Sequence, residues 1–182
     1  MQKHLIVAGR CYGKTYKAIE LVKSLKETYD KLNVLVVTTV YAQCQPFIEE
    51  VVKHYIGKYN AKYDTRSRSC ISIEFPCGTT YRFATTEYPE MIRGGLYDAV
   101  ICEDINLWTD NAIVGYQMSL FATKDNGLFV VTSEDKFSAL LDDIFCDKDF
   151  HMDTPAGRMG LSDGFQQELL RTYTKDAAFE NK

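Results

Sequence analysis

Eight residues near the start of the chain constrain its fold more than any other feature: Ala8-Gly9-Arg10-Cys11-Tyr12-Gly13-Lys14-Thr15. They follow an apolar run, residues 5–8, and precede residues 15–29, where Ala18, Leu21, Val22 and Leu25 recur at helical spacing. A strand, a glycine-containing turn and a helix in that order read as a phosphate-binding loop. In such a loop successive backbone N–H groups and the helix N-terminus surround the β- and γ-phosphates of a nucleotide. Lys14 adds a mobile positive charge, and the Thr15 hydroxyl ligates magnesium. Gly13 lets the backbone pass close to phosphate. The pattern departs from G-x-x-x-x-G-K-S/T only at Ala8, which suffices where that residue needs a negative φ. An ordinary strand-to-helix turn is the bland alternative.

Short β-rich runs alternate with helical stretches through the rest of the chain. Residues 34–38 read as a strand and 47–56 as a helix. Ile71, Ile73 and Phe75, a Pro76-Cys77-Gly78 turn, then Tyr81 and Phe83 read as a hairpin over 70–84. Strands follow at 98–102 and 128–132, with a helix at 111–121 between them. This is the pattern of an α/β domain, a mostly parallel central sheet flanked by helices with a β-hairpin insertion. Residues 147–164 collect Asp, Pro, Gly and Met without periodicity and are expected to form a loop or lid, before a helical stretch at 165–173. Residues 1–146 are therefore read as the core, and 147–182 as a loop or lid and helix packed on the same domain. A length of 182 residues suits one domain.

The second motif is Tyr97-Asp98-Ala99-Val100-Ile101-Cys102-Glu103-Asp104, an apolar strand ending in two carboxylates. Nucleotide hydrolysis needs one acid beside the magnesium and another near the attacking water. Position along the strand assigns Glu103 to the metal, with Thr15, and Asp104 to the water. The usual order is Asp then Glu, so slow hydrolysis is an open outcome; solvated acids at a strand end are the bland reading. A third signal is Val130-Val131-Thr132-Ser133, ending the strand expected beside the acidic one. A hydroxyl there could sense the γ-phosphate, although Thr132 also suits a strand as a β-branched filler.

Composition narrows the remaining classes. Hydrophobic residues make up 46% and charged residues 25%, as in folded soluble domains. The apolar runs fall far short of the roughly 18 residues a membrane span needs, and no signal-peptide pattern opens the chain, so a soluble cytoplasmic protein is expected. A net charge of −4, from 21 basic and 25 acidic residues, argues against a free-standing nucleic-acid coat. Any contact with DNA must be local. Lys58, Lys62, Arg66 and Arg68, interleaved with Tyr59 and Tyr63, form the clearest basic cluster for it, and a solvated connection is the blander account. Six scattered cysteines suggest neither a zinc site nor a disulfide framework and are expected as reduced thiols, most of them buried. His4, His54 and His151 form no ligand pattern, and Trp108 is expected as a core or interface anchor.

Arg10 within the loop, Met91-Ile92-Arg93-Gly94-Gly95 shortly before the acidic strand, residues 97–104, and Val130–Ser133 followed by a helix come in that order. Together they resemble the ATPase domain of bacteriophage terminase large subunits, which package DNA into viral capsids. The resemblance covers about residues 4–145. It implies a P-loop NTPase with a RecA-like, additional-strand core, ATP and Mg2+ as ligands, and hydrolysis coupled to translocation of double-stranded DNA. It also implies a homo-oligomer, with a capsid portal or a separate nuclease as partner, in the host cytoplasm. On the same grounds Arg10 or Arg93 stabilises charge on the transferring phosphoryl group, and Thr132 or Ser133 couples hydrolysis to movement. The family carries a C-terminal RNase H-like nuclease, for which residues 147–182 leave no room, and an adenine-reading segment ahead of the loop. A reduced phage NTPase, or a motor whose nuclease is a separate chain, is therefore expected, with base recognition from Tyr12 or the C-terminal segment. Two other readings stay open. One is a P-loop nucleoside or nucleotide kinase with 147–164 as its lid; the other is a nucleotide-binding assembly subunit that hydrolyses little.

Overall fold

A computed structural model of the chain describes residues 1–26, 31–56, 62–67, 70–109, 111–136, 138–153 and 161–167. Strand β1 (Gln2–Val7) turns Leu5 and Val7 to one side and Ile6 to the other; β2 (Asn33–Thr38) likewise sets Val34 and Val36 against Leu35 and Val37. All seven side chains are buried. Strands apolar on both faces must be covered on both, and helices do so here. On one face lie α1 (Lys14–Lys26), which buries Ala18, Ile19 and Val22, and α2 (Tyr41–Ile56), which buries Phe47, Ile48 and Val51. The other face carries α3 (Ala112–Phe121), α4 (Ala139–Phe145) and the buried pair Leu161 and Phe165.

The remaining strands are β3 (Lys62–Ser67), β4 (Cys70–Glu74), β5 (Thr80–Thr85), β6 (Tyr97–Cys102), β7 (Thr123–Ser133) and β8 (Phe150–Asp153). One sheet runs β3-β4-β5-β2-β6-β7-β1-β8, parallel throughout except for the antiparallel pairs β3–β4 and β4–β5. The α/β sheet expected from the alternation is present. Strand β7 lies between the loop-bearing β1 and the acidic β6, pairing in parallel with both. It puts Thr132 and Ser133 at the same C-terminal end of the parallel strands as Ala8 and Glu103.

Five local expectations need correction. The hairpin over 70–84 exists, but β5 is an integral parallel strand against β2, so only β4 and β3 extend the sheet antiparallel. Part of the run read as a basic connection is strand β3. Helix α2 begins at Tyr41 and carries Pro46 inside, where the expected helix began only after the proline. Its opening is held instead by the Thr39 N–H donating to Gln43 Oε1 at 3.2 Å, a local bond that a Pro-based boundary overlooks. Within the segment expected to be a loop, β8 pairs with β1 from Lys3 to Ile6. Of the five cysteines whose side chains are described, only Cys44 and Cys102 are buried, while Cys11 and Cys146 are exposed.

Phe129 on β7 ties the second face together, its ring meeting those of Tyr116 on α3 (5.6 Å between centroids) and Phe150 on β8 (6.2 Å). It is wholly buried. Phe129→Ala should therefore lower unfolding free energy by about 3–5 kcal/mol, read from urea denaturation of both proteins. A loss under about 1 kcal/mol would contradict this packing.

Candidate functional site

As the chain leaves β1, the Ala8 N–H donates to the Ser133 carbonyl at 3.2 Å, fixing the start of the loop to the end of β7. Cys11 (φ 64°) and Gly13 (φ 81°) take left-handed backbone conformations, which bend the loop back toward α1. Helix α1 then opens directly, with the Lys17 N–H donating to the Gly13 carbonyl at 2.9 Å. The first-turn N–H groups of a helix have no partners within it and carry its positive dipole end, which suits an anion. Lys14 is buried against the sheet edge, its Nζ 3.4 Å from Asp104 Oδ1. Arg10 projects outward with 87% of its side chain exposed.

The acidic strand reaches the same place. Glu103 donates its N–H to the Val37 carbonyl at 2.8 Å, and its carboxylate accepts from two hydroxyls: Thr15 at 2.5 Å and Thr132 at 2.8 Å. The Trp108 indole N–H donates to the Glu103 carbonyl at 3.0 Å, so the anchor expected at Trp108 is buried and braces this residue. Asp104 is turned into a left-handed conformation (φ 47°), and its N–H donates to Thr132 Oγ1 at 2.8 Å. Thr132 is thus used twice, as donor to Glu103 and acceptor from Asp104. Its Oγ1 joins the two acidic residues, an arrangement a mere β-branched filler would not make.

Burial, and next the charge of Asp104, push the Glu103 carboxyl up to about 7, while bonds from Thr15 and Thr132 and the nearby Lys14 oppose the rise. A carboxyl raised on folding favours the protonated state in the fold, so stability falls as pH rises from about 4.5 to about 7 and is level beyond. Without magnesium, the wild type should lose about 2–3 kcal/mol over that window relative to Glu103→Gln, measured by urea unfolding at pH 5 and pH 8. Parallel pH profiles for the two proteins would contradict the burial of this charge.

Ala8, Gly9, Arg10, Cys11, Tyr12, Gly13, Lys14 and Thr15 thus meet Glu103, Asp104 and Thr132 at the C-terminal ends of β1, β6 and β7. Arg93 is not brought to this cluster. It lies exposed after the helical turn Pro89–Ile92, lining a cleft of about 460 Å³ with Val114, Gln117, Met118 and Phe121 of α3. Lys58 and Arg68 fall outside the described residues, and Lys62 and Arg66 lie in β3, whose side chains are not described. Two further residues belong to the cluster and were missed. The Asn106 side-chain carbonyl accepts from the Glu134 N–H at 2.8 Å, and Glu134 stands 3.5 Å from the Arg10 guanidinium. Glu134 follows an apolar strand directly, the same signal that exposed Glu103; Asn106, in an irregular turn, carried none.

No protein-family model and no curated protein matches the chain. Solved structures do. The large terminase of a thermophilic bacteriophage aligns over 93% of this chain and 45% of its own, at TM-score 0.60 and 13% identity. The fold is that of a terminase ATPase domain. The bacteriophage HK97 large terminase gives the same TM-score at 16% identity, over 98% of this chain and 45% of that one. The ATPase domain of the Thermus phage P74-26 large terminase aligns over 84% of this chain and 75% of its own, at TM-score 0.58 and 13% identity. Another structure of the first of these terminases, at TM-score 0.59, is a complex with ATP-gamma-S. The chain therefore spans less than half the length of the first two terminases, and at these identities the likeness is one of fold. Among the described residues no helix is long and apolar enough to cross a membrane.

Proposed function

We propose that the chain binds ATP with Mg2+ at residues 8–15 and hydrolyses it, as the ATPase of an oligomeric motor acting on double-stranded DNA. The observation that carries this reading is the Glu103 carboxylate, held between the Thr15 and Thr132 hydroxyls beside Lys14. The Thr15 hydroxyl and Glu103 carboxylate are hard oxygen donors of the kind Mg2+ takes in small number, with water and phosphate filling its remaining positions. Bound there, the ion would neutralise charge on the phosphates. Loop N–H groups and Lys14 hold the β- and γ-phosphates. Asp104, one residue on, is the carboxylate that orients and deprotonates the attacking water, and Thr132, bonded to both acids, registers loss of the γ-phosphate.

These roles separate in two variants. Glu103→Gln should weaken magnesium-dependent nucleotide binding, whereas Asp104→Asn should spare binding and cut hydrolysis by about 10²-fold. Titration with a fluorescent ATP analogue and single-turnover hydrolysis read the two effects. If both variants hydrolyse normally, the pair is structural.

A weakly hydrolysing subunit is the second reading, favoured by Asp104 itself: its carboxylate is short, and Oδ1 is buried facing Lys14 with no hydrogen-bond donor among the described residues. The kinase reading loses part of its lid, since β8 binds residues 150–153 into the sheet. ATPase assays with and without double-stranded DNA, beside a test for phosphorylated nucleoside, distinguish the three. DNA-stimulated phosphate release supports the motor, phosphorylated nucleoside the kinase, and binding without turnover the assembly subunit.

A further inference from the structure

Arg82 is a half-buried charge in the middle of β5 that takes no part in the nucleotide site. It points to the same sheet face as Ala84, the face that α3 covers. Its planar guanidinium donates twice across elements, from Nη1 to Tyr97 Oη at 3.1 Å and from Nη2 to the Met91 carbonyl at 3.1 Å. One side chain thus ties β5 to the start of β6 and to the helical turn Pro89–Ile92. What this brace holds is the segment that presents Arg93. Before Arg93, Ile92 is wholly buried, and the Arg93 N–H donates to the Glu90 carbonyl at 3.3 Å. After it, Gly94 takes a left-handed φ of 94°, and a Cβ on Gly95 would lie 3.0 Å from Cζ and Oη of Tyr97. The chain therefore passes against the phenol that Arg82 holds. Tyr97 is in turn buried, with its N–H donating to the Ala122 carbonyl at 2.8 Å. The backbone of Arg93 is fixed from both sides by groups that meet at Arg82, while its own side chain stays exposed.

We propose that Arg82 is a positioning residue for Arg93: by bracing Tyr97 and the Met91 carbonyl together, it sets the direction in which the turn presents the Arg93 guanidinium to a nucleotide held by a neighbouring copy. The proposal rests on the oligomeric ATPase reading above, because Arg93 is not brought to the loop of its own chain. An arginine suits the task since its rigid fork spans two acceptors at once. In the sheet, β2 and β6 stand between β5 and the strands β7 and β1. Loss of the brace is therefore felt at the turn and not at the chain's own phosphate loop. A charge aimed at a transferring phosphoryl group works only in the right place, and a displacement of about 1 Å lowers the rate by roughly 10²-fold.

The test is phosphate release per subunit over a dilution series of the full chain, for the wild type, Arg82→Gln, Arg93→Ala and the double variant. Arg82→Gln should lower the rise of turnover with concentration by about 10²-fold and cause no further loss in Arg93→Ala. Turnover of the dilute protein and the dissociation constant of a mant-labelled ATP should stay as in the wild type. An unchanged rise overturns the proposal. So does a fall of dilute turnover or nucleotide affinity in step with the rise, which marks a merely structural role, and so does an equal further loss in the Arg93→Ala background. Circular dichroism checks folding. Should Arg82→Gln not fold, Tyr97→Phe, which removes one acceptor and nothing else, runs the same series with an expected loss of about 10-fold. If the wild type shows no rise, or Arg93→Ala keeps it in full, the reading of Arg93 fails and the proposal with it. A rise lost in Arg93→Ala but kept in Arg82→Gln sinks the positioning role alone.

Discussion

Lys14→Ala is expected to lower ATP turnover by roughly 10³-fold while leaving the fold intact. Lys14 is the first residue of α1, and its ammonium forms an ion pair with Asp104 at the loop proposed to bind phosphate. Preorganised cations act where charge develops on the transferring phosphoryl group, so their removal is felt in the rate far more than in stability. Removal leaves Asp104 Oδ1 facing no cation, a loss of about 1 kcal/mol that a domain of this size tolerates. Steady-state phosphate release and thermal unfolding of the same preparation check both halves. A folded variant with unchanged turnover would remove the nucleotide assignment altogether.

The second large effect concerns the arginines. An arginine brought to the transferring phosphoryl group is worth roughly 10³–10⁵ in rate. Arg93 stands apart from its own chain's loop, exposed in a cleft that it lines with Val114 and Phe121, the latter 79% exposed. On the oligomeric reading proposed above, a second copy would take Arg93 to its own phosphates. Turnover per subunit should accordingly be slow in dilute protein, rise steeply with concentration or with DNA and capsid partners, and lose that rise in Arg93→Ala. Arg10→Ala should reduce turnover at every concentration, because Arg10 belongs to the loop it serves. A dilute monomer cycling at several turnovers per second, indifferent to concentration and DNA, would instead mark a self-contained enzyme such as a kinase.

What the sequence alone determined about this protein lies where one short segment specifies both shape and chemistry. The strand, Gly13-Lys14-Thr15 and the helix face of Ala18 and Val22 predict a loop that the backbone indeed builds, because left-handed turns and helix starts are set by neighbours in the chain. The acidic end of β6 and the hydroxyls of β7 were legible for the same reason: an apolar run that stops at a polar residue puts that residue at a strand end. Tertiary structure decided which strand ends meet. Inserting β7 between β1 and β6 joins Thr15, Glu103 and Thr132, although 88 residues separate the first two. Strand β8 escaped the sequence because four residues, Phe150–Asp153, show too little alternation to announce a strand, and they gain it only by pairing with β1. Glu134 and Asn106 became site residues, and Arg93 was kept from the cluster, through contacts and distances between segments remote in the chain. Local propensity carries no record of such contacts, since their energy exists only once the sheet has closed around them.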